Sequence, residues 1–166
     1  NLKKKKNIKI KKDLILFLNK NTEIIKSLSI KYKNSYKKKT VNKFKKYKNI
    51  RVIGIGGSIL GTQSIYDFLK SKIKKNFHFI DNLQTNNNFF RNKKKSINLI
   101  VSKSGNTLET ISNANLAINK KDKNIFISEN KDSYLISLAN RLKAEIVHHN
   151  NFIGGRYSVL SEVGML

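Results

Sequence analysis

Two short polar segments, each directly after an apolar run, contain the residue types that bind phosphate. Residues 54–58 (Gly-Ile-Gly-Gly-Ser) follow the run 50–53, and residues 102–107 (Ser-Lys-Ser-Gly-Asn-Thr) follow the run 97–101. Both lead into helix-like sequence, so each is expected where a strand ends and a helix begins. Such a junction presents free backbone N–H groups and the positive end of a helix dipole. The two segments together predict a site for a small phosphorylated ligand.

The first segment carries more glycine than a turn requires. Gly54, Gly56 and Gly57 allow close approach of the backbone to a ligand, and Ser58 is suited to cap the following helix. A dinucleotide fingerprint of the form Gly-x-Gly-x-x-Gly is incomplete because Ile59 occupies its third glycine position. A nucleotide interpretation stays open through Asp81, which stands where a ribose-binding acid would lie. A P-loop is excluded because no Lys-Ser/Thr pair follows Gly61.

The second segment is chemically more specific. It offers three hydroxyl groups, an ammonium group and two flexible backbone N–H groups, from Ser102, Ser104 and Thr107, from Lys103, and from Gly105 and Asn106 respectively. Such a set suits a terminal phosphate enclosed at the start of a helix. An ordinary helix cap would account for Thr107 alone.

A third segment, residues 153–158 (Ile-Gly-Gly-Arg-Tyr-Ser), follows the last apolar run. Its Arg156 is expected to reach the same pocket and to stabilise developing negative charge. We interpret His148 and His149, at the end of the last strand, as polar residues without a catalytic role, and His78 as structural.

The elements that must position these segments form a regular alternation. Apolar strands are predicted at 50–55, 77–80, 97–101, 125–128 and 145–148, and helices at 58–73, 107–119 and 133–143. Between them, a short helix is predicted around Phe89 and Phe90. Apolar strands separated by helices indicate an α/β fold with a doubly wound, five-stranded parallel sheet, flavodoxin-like in order. Ligands then bind at the carboxyl ends of the strands, near the two neighbouring strands that carry the first two segments.

The region before the sheet is rich in lysine. Residues 13–30 predict one or two amphipathic helices, and residues 31–49 a connector or helix with interspersed aromatic residues. These aromatic residues could stack on single-stranded nucleic acid, but we favour the inner face of a surface helix. Residues 1–49 are thus a helical, Lys-rich lead-in to the sheet.

Composition narrows the class of protein. The net charge of +25 would suit nucleic acid or anionic lipid, but Asn and Ile are enriched together with Lys, as AT-rich coding favours. We therefore attribute the charge to codon bias and expect no nucleic-acid or membrane partner. The absence of cysteine excludes disulfides and thiolate metal sites and favours the cytoplasm. The first residue is not Met and the last residues are helix-like, so we expect a fragment of a longer protein.

Together the three segments resemble the phosphoglucose isomerase (glucose-6-phosphate isomerase) family. The similarity rests on Gly-Ile-Gly-Gly-Ser-x-Leu-Gly at 54–61, Ser-Lys-Ser-Gly-Asn-Thr-Leu-Glu-Thr at 102–110 and Gly-Gly-Arg-Tyr-Ser-Val-Leu-Ser-x-Val-Gly at 154–164. Their order and context also match. The resemblance implies that residues 50–150 form the family's first sugar-isomerase (SIS) domain and that 151–166 begin the connection to a second one.

The resemblance also implies an activity and a site. The reaction would be the reversible isomerisation of glucose 6-phosphate and fructose 6-phosphate through an enediolate, without metal or cofactor. Arg156 would be the catalytic arginine beside the reacting carbons. The remaining site residues would bind the sugar phosphate: Gly57, Ser58, Ser102, Lys103, Ser104, Gly105, Asn106 and Thr107.

Departures from the family leave an alternative open. The family's catalytic Glu, ring-opening His and further Lys would lie beyond residue 166, so the fragment should bind sugar phosphate without turnover. Ser104-Gly105-Asn106 replaces the Thr-Phe-Thr of the animal enzymes, which bears on the rigidity of this loop. The resemblance also implies that the full-length protein is a homodimer. The alternative function is a non-catalytic SIS module that senses a phosphosugar and regulates a partner.

Overall fold

The apolar runs of the sequence form five strands in a single sheet. The computed structural model describes residues 2–84, 95–119 and 122–166. The strands are β1 (Asn49–Ile53), β2 (Asn76–Ile80), β3 (Ser96–Val101), β4 (Lys123–Glu129) and β5 (Glu145–His149). All neighbouring pairs are parallel, and the strand order is β2-β1-β3-β4-β5. The predicted flavodoxin-like α/β sheet is confirmed, and each strand begins or ends within a few residues of its predicted bounds.

Helices precede, connect and follow these strands along the chain. They are α1 (Leu2–Leu18), α2 (Glu23–Ser27), α3 (Lys38–Phe44), α4 (Leu60–Leu69), α5 (Leu108–Ala117), α6 (Tyr134–Arg141) and α7 (Glu162–Met165), with 3₁₀ turns at Gly56–Ser58 and Gly155–Leu160. The short helix predicted around Phe89 and Phe90 lies outside the described residues. Within the described part of the chain, no helix is both long and apolar enough to span a membrane.

The chain divides into two units, residues 1–33 and 34–166. The first unit contains α1 and α2. The prediction of one or two helices over 13–30 is met by two, the first of which begins earlier because Lys favours helix. Thr22 caps α2, since its hydroxyl accepts a hydrogen bond from the N–H of Ile25 at 3.4 Å.

The second unit buries apolar side chains on both faces of the sheet. On one face, Ile53, Ile100 and Phe126 pack with residues of α5 and α6. On the other face, the strands pack with Tyr47 and Val163, and Tyr36 and Phe44 lie against the same cluster. Tyr36, Phe44 and Tyr47 therefore pack inward, as predicted. Of the three, only Phe44 lies in a helix, so the prediction of a helix face is wrong for Tyr36 and Tyr47, which flank α3.

One strand carries a buried charge that the apolar pattern conceals. Arg51, in the middle of β1, forms an ion pair of 2.7 Å with Asp122, and both side chains are almost fully buried. Its guanidinium also donates to the Asn98 carboxamide on β3 at 3.3 Å, and Asp122 accepts from Asn119 at 2.6 Å. A buried ion pair is retained only when hydrogen bonds satisfy both groups, as they do here. This network ties the strands together on the face covered by α5 and α6.

Candidate sugar-phosphate site at the carboxyl edge of the sheet

Three loops leave the carboxyl ends of the strands and carry the predicted site residues. Loop A (54–58) follows β1, loop B (102–107) follows β3, and loop C (150–158) follows β5. The strands β1 and β3 are hydrogen-bonded neighbours, with Ile53 opposite Ile100. The connection after β1 leads to β2 on one side of this pair, and the connection after β3 leads to β4 on the other. Loops A and B therefore flank the switch point at which ligands bind in such folds.

Loop A forms a tight 3₁₀ turn rather than a direct start to a helix. Gly56 has a φ of +56°, a conformation that favours glycine. A side chain at Gly54 would approach the carbonyl oxygen of Val101 to 2.9 Å, so this glycine lets the end of β1 lie close to β3. Because of this turn, α4 begins only at Leu60, and the N-cap of the helix is Ile59. The prediction that Ser58 caps this helix is therefore wrong.

The hydroxyl of Ser58 is thus available to a ligand. Ser58 is half-buried, and within the described residues its hydroxyl makes no hydrogen bond. Its backbone N–H donates to the carbonyl oxygen of Ile55 at 3.2 Å, which holds the turn in place. Because the turn fixes its position, the Ser58 hydroxyl is suited to donate a hydrogen bond to a bound anion or a sugar hydroxyl.

Loop B gathers its three hydroxyl groups at one point. The Ser102 and Thr107 hydroxyl oxygens lie 3.0 Å apart, and that of Ser104 lies 3.4 Å from Thr107. Thr107 is the N-cap of α5, as predicted, but its hydroxyl makes no capping hydrogen bond. Among the residues that the structure describes, the N–H groups in the first turn of α5 therefore have no intrahelical or capping partner. The hydroxyl cluster and this helix end together form a place for a phosphate group.

The second half of loop B is fixed to the next helix. The Asn106 side-chain oxygen accepts from the N–H of Tyr134 at 2.9 Å, and the Gly105 carbonyl accepts from the N–H of Leu135 at 3.1 Å. Gly105 has a φ of +70°, and a side chain there would lie 2.6 Å from the Cβ of Ser133. The loop is therefore rigid, because it caps α6 with a side chain and a carbonyl group. The side chain of Asn106 serves this attachment.

The ammonium group of Lys103 is directed along the edge of the sheet. It lies 3.0 Å from the carboxylate of Glu129 at the end of β4, and it donates to the carbonyl oxygen of Asn151 at 3.0 Å. Burial alone would raise the pKa of Glu129, but hydrogen bonds from Lys131 and Lys103 outweigh it and lower that pKa. Glu129 is ionised at neutral pH and was not identified from the sequence, since no motif contains it.

Loop C touches loop A directly. A side chain at Gly57 would meet the Gly155 carbonyl oxygen and lie 2.6 Å from the Cα of Arg156, so the two backbones are in contact. Arg156 is exposed, and within the described residues its side chain makes no hydrogen bond. The Ser158 hydroxyl donates to the carbonyl of Gly155 at 2.6 Å and closes the turn. The structure thus brings the predicted catalytic arginine beside the first glycine loop.

Buried polar residues support loop C from below. His149 is buried, with Nδ1 2.8 Å from the carbonyl oxygen of Asn150 and Nε2 3.2 Å from the Ser161 hydroxyl. Glu162, also buried, accepts from the N–H groups of Asn150 at 3.3 Å and Ser35 at 3.2 Å. His149 therefore has a structural position, and His148 beside it is exposed.

Comparison with known proteins identifies the family. The model of the phosphoglucose isomerase family matches residues 3–166, almost the whole chain. The chain belongs to the phosphoglucose isomerase family. It is 39% identical over 140 residues to glucose-6-phosphate isomerase of Borrelia garinii, covering 73% of the chain and 26% of the relative. It is 37% identical over 131 residues to the enzyme of that name from Methanocaldococcus jannaschii, covering 72% and 32%. The chain therefore spans about a third or less of the length of these relatives.

Solved structures agree on the fold of this family member. The chain superposes on tagatose-6-phosphate ketose/aldose isomerase from Escherichia coli with a TM-score of 0.61 and 16% identity. The match covers 74% of this chain and 38% of the other. At this level of identity the similarity concerns the sheet and its helices. The resemblance that the three motifs carry, and the fold it implies, are both confirmed.

Proposed function

We propose that the protein catalyses the reversible isomerisation of glucose 6-phosphate and fructose 6-phosphate, and that this chain supplies the phosphate-binding half of the site. The observation that carries the proposal is the convergence of loops A, B and C at one edge of the sheet. Membership of the phosphoglucose isomerase family supports the same reaction, and relatives of this chain bear the name glucose-6-phosphate isomerase.

Loops A and B divide the binding of the substrate between them. The phosphate group lies at the start of α5, where it accepts hydrogen bonds from the hydroxyls of Ser102, Ser104 and Thr107. The backbone N–H groups of Gly105 and Asn106 complete the contact. The ammonium group of Lys103, held by Glu129 and Asn151, adds positive charge at the edge of the site. Gly57 and Ser58 contact the sugar phosphate from loop A.

Arg156 stabilises the charge that develops during the reaction. Moving a proton between C2 and C1 places negative charge on the oxygens of an enediolate. The exposed guanidinium of Arg156 beside these oxygens lowers the energy of that state. The three motifs at 54–58, 102–107 and 154–158 contain no Asp, Glu or His. The general base therefore comes from another part of the full-length protein.

The organisation of the full-length protein is part of the same proposal. We assign residues 1–49 to the lead-in, 50–150 to the SIS domain and 151–166 to the connection towards a second SIS domain. The full-length enzyme is a homodimer that acts in the cytoplasm, without a metal or cofactor.

Calorimetric titration with fructose 6-phosphate tests the binding half of the proposal. We expect saturable binding of fructose 6-phosphate by this chain and no measurable binding of fructose. Ser104→Ala should weaken the binding by about tenfold or more, the size expected for losing a hydrogen bond to a charged group. Ser137→Ala serves as a control, because Ser137 is an exposed residue of α6 away from the loops.

Two results would contradict this assignment. Equal affinities of the wild type and Ser104→Ala would remove loop B from the phosphate site. Equal affinities for fructose and fructose 6-phosphate would remove the phosphate from recognition altogether. Isomerase activity is then measured on the full gene product that carries this sequence, with Arg156→Gln as the variant expected to lose turnover.

A further inference from the structure

Lys103 connects the ends of three neighbouring strands. It follows β3, its ammonium group contacts the Glu129 carboxylate at the end of β4, and the same ammonium group donates to the carbonyl of Asn151 after β5. Its backbone is held as well, because the Lys103 carbonyl accepts from the N–H of Glu129 at 3.1 Å and from the Ser128 hydroxyl at 3.2 Å.

Glu129 is the acidic partner that keeps this arrangement together. Its side chain is 10% exposed, while that of Lys103 is 24% exposed, so the pair is largely shielded from water. Shielded ion pairs are costly to break by removing one partner, because the remaining charge stays buried. The second partner of Glu129, Lys131, is about half exposed at 51% and is more easily solvated.

The contacts favour fixing the loop over direct binding of phosphate by this side chain. An ammonium group that is held by a carboxylate and a carbonyl is not free to turn towards an anion, so its charge acts at a distance rather than by direct contact. The same contacts join loop B to loop C, in which Arg156 lies. The distance between the phosphate site and the arginine thus depends on the Lys103–Glu129 pair.

We propose that Glu129 is a positioning residue of the sugar-phosphate site, which acts by holding Lys103 and thereby sets loop B against loop C. This proposal rests on the sugar-phosphate function proposed above. The direction in which the affinity changes when the Glu129 carboxylate is removed tests this proposal. A carboxylate that acted only through its charge would repel a phosphate dianion, so its removal would strengthen binding. A carboxylate that positions the loop has the opposite effect, and its removal weakens binding.

The test is a double-mutant cycle on fructose 6-phosphate affinity. Glu129→Gln keeps the size of the side chain and removes its charge, and we expect it to weaken binding by about tenfold. Lys103→Met should weaken binding similarly, and the double variant no further, because both changes break one interaction. Lys103→Arg should retain most of the affinity, since a guanidinium also pairs with a carboxylate.

A matched control removes a carboxylate without touching the pair. Glu109 lies in the first turn of α5, beside the same phosphate site, and Glu109→Gln changes the net charge by the same amount. We expect this control to bind as tightly as the wild type or more tightly. Equal or tighter binding by Glu129→Gln as well, or additive losses in the double variant, would overturn the proposal.

Hydrogen exchange separates this proposal from the proposed function. In the absence of ligand, Glu129→Gln should speed amide exchange at 102–107 and at 150–155 while leaving α5 and α6 protected. If the wild type does not bind fructose 6-phosphate, the proposed function fails and the exchange experiment alone decides whether the pair fixes the loops. Unchanged exchange in both segments would overturn the positioning role.

Discussion

At the scale of single residues, the site separates side chains that can meet a ligand from side chains that hold the loops. Ser58 and Arg156 make no side-chain hydrogen bond within the described residues, so both are open to a ligand. Lys103 and Asn106, by contrast, are bonded to neighbouring loops and helices. The sequence identifies all four as polar loop residues. Only their hydrogen-bond partners distinguish the residues that are open to a ligand from those that hold the loops.

His149 gives the stability of the fold a specific dependence on pH. Burial lowers the pKa of His149, and the carbonyl of Asn150 and the carboxylate of Glu162 offset this only in part. Between this lowered pKa and the ordinary value of 6.5, the unfolded chain binds a proton that the native chain does not. The free energy of unfolding should therefore decrease as the pH falls below about 6.5. Urea denaturation between pH 5.5 and 7.5 measures this slope.

A neighbouring histidine supplies the control for this experiment. His149→Gln should reduce the slope in this window, whereas His148→Gln, which changes an exposed residue of the same strand, should leave it unchanged. Glu129 does not contribute to the slope in this window. Its pKa is lowered below the ordinary value of 4.5, so its carboxylate gains a proton only in more acidic solution. A slope that persists in His149→Gln would assign the pH dependence to another group.

At the scale of elements, the strands could be predicted from the hydrophobic pattern, and their order from the alternation of strands with helices. Buried parallel strands are short apolar runs, and each run here is bounded by polar or glycine-rich sequence. The predicted strand at 50–55 extends too far, because the backbone leaves the sheet at Gly54 to form the turn of loop A. Helix α4 begins late for the same reason. The bounds differ where glycine permits a turn that the pattern does not report.

The contacts between elements could not be predicted in this way. The ion pair of Arg51 with Asp122, the pair of Lys103 with Glu129 and the approach of Gly57 to Arg156 all join residues far apart in sequence. Hydrophobic pattern reports which positions are buried, but not which positions meet. The motifs identified candidate ligand-binding residues, whereas the residues that position them carry no motif.

The contact between loops A and C makes Gly57 sensitive to substitution. A Cβ at this position would lie 2.6 Å from the Cα of Arg156, and both neighbours are backbone atoms that cannot rotate away. Gly57→Ala should therefore lower the free energy of unfolding by about 1–3 kcal/mol and separate loop A from loop C. Chemical denaturation gives the energy, and fructose 6-phosphate titration gives the loss of affinity.

Gly155, on the other side of the same contact, is the matched control. A Cβ at Gly155 would meet no atom within 4 Å, and its backbone does not have a positive φ. Gly155→Ala should change the stability by less than about 0.5 kcal/mol. Similar losses for Gly57→Ala and Gly155→Ala would mean that flexibility, rather than the close approach, is what this contact requires.

At the scale of the whole molecule, the net charge of +25 acts on any anion near the protein. Long-range attraction raises the local concentration of anionic substrates, and like charges destabilise the compact state through self-repulsion. Both effects are screened by salt over a Debye length of about 10 Å at 0.1 M. Binding at a specific phosphate site stabilises the protein beyond the effect of screening. Comparing different anions at equal ionic strength separates these two contributions to the free energy of unfolding.

Stability in the presence of fructose 6-phosphate separates the site from the overall charge. At millimolar concentration and fixed ionic strength, fructose 6-phosphate should raise the free energy of unfolding by RT ln(1 + [L]/Kd), about 2.7 kcal/mol at a hundredfold excess over Kd. Sodium chloride of equal ionic strength should produce only the smaller effect of screening. The difference should shrink in Ser104→Ala, which leaves the net charge unchanged, and persist in Ser137→Ala. A phosphate site at the start of α5 should distinguish fructose 6-phosphate from chloride. Equal stabilisation of the wild type by fructose 6-phosphate and by sodium chloride would therefore show that only the general positive charge attracts the sugar phosphate.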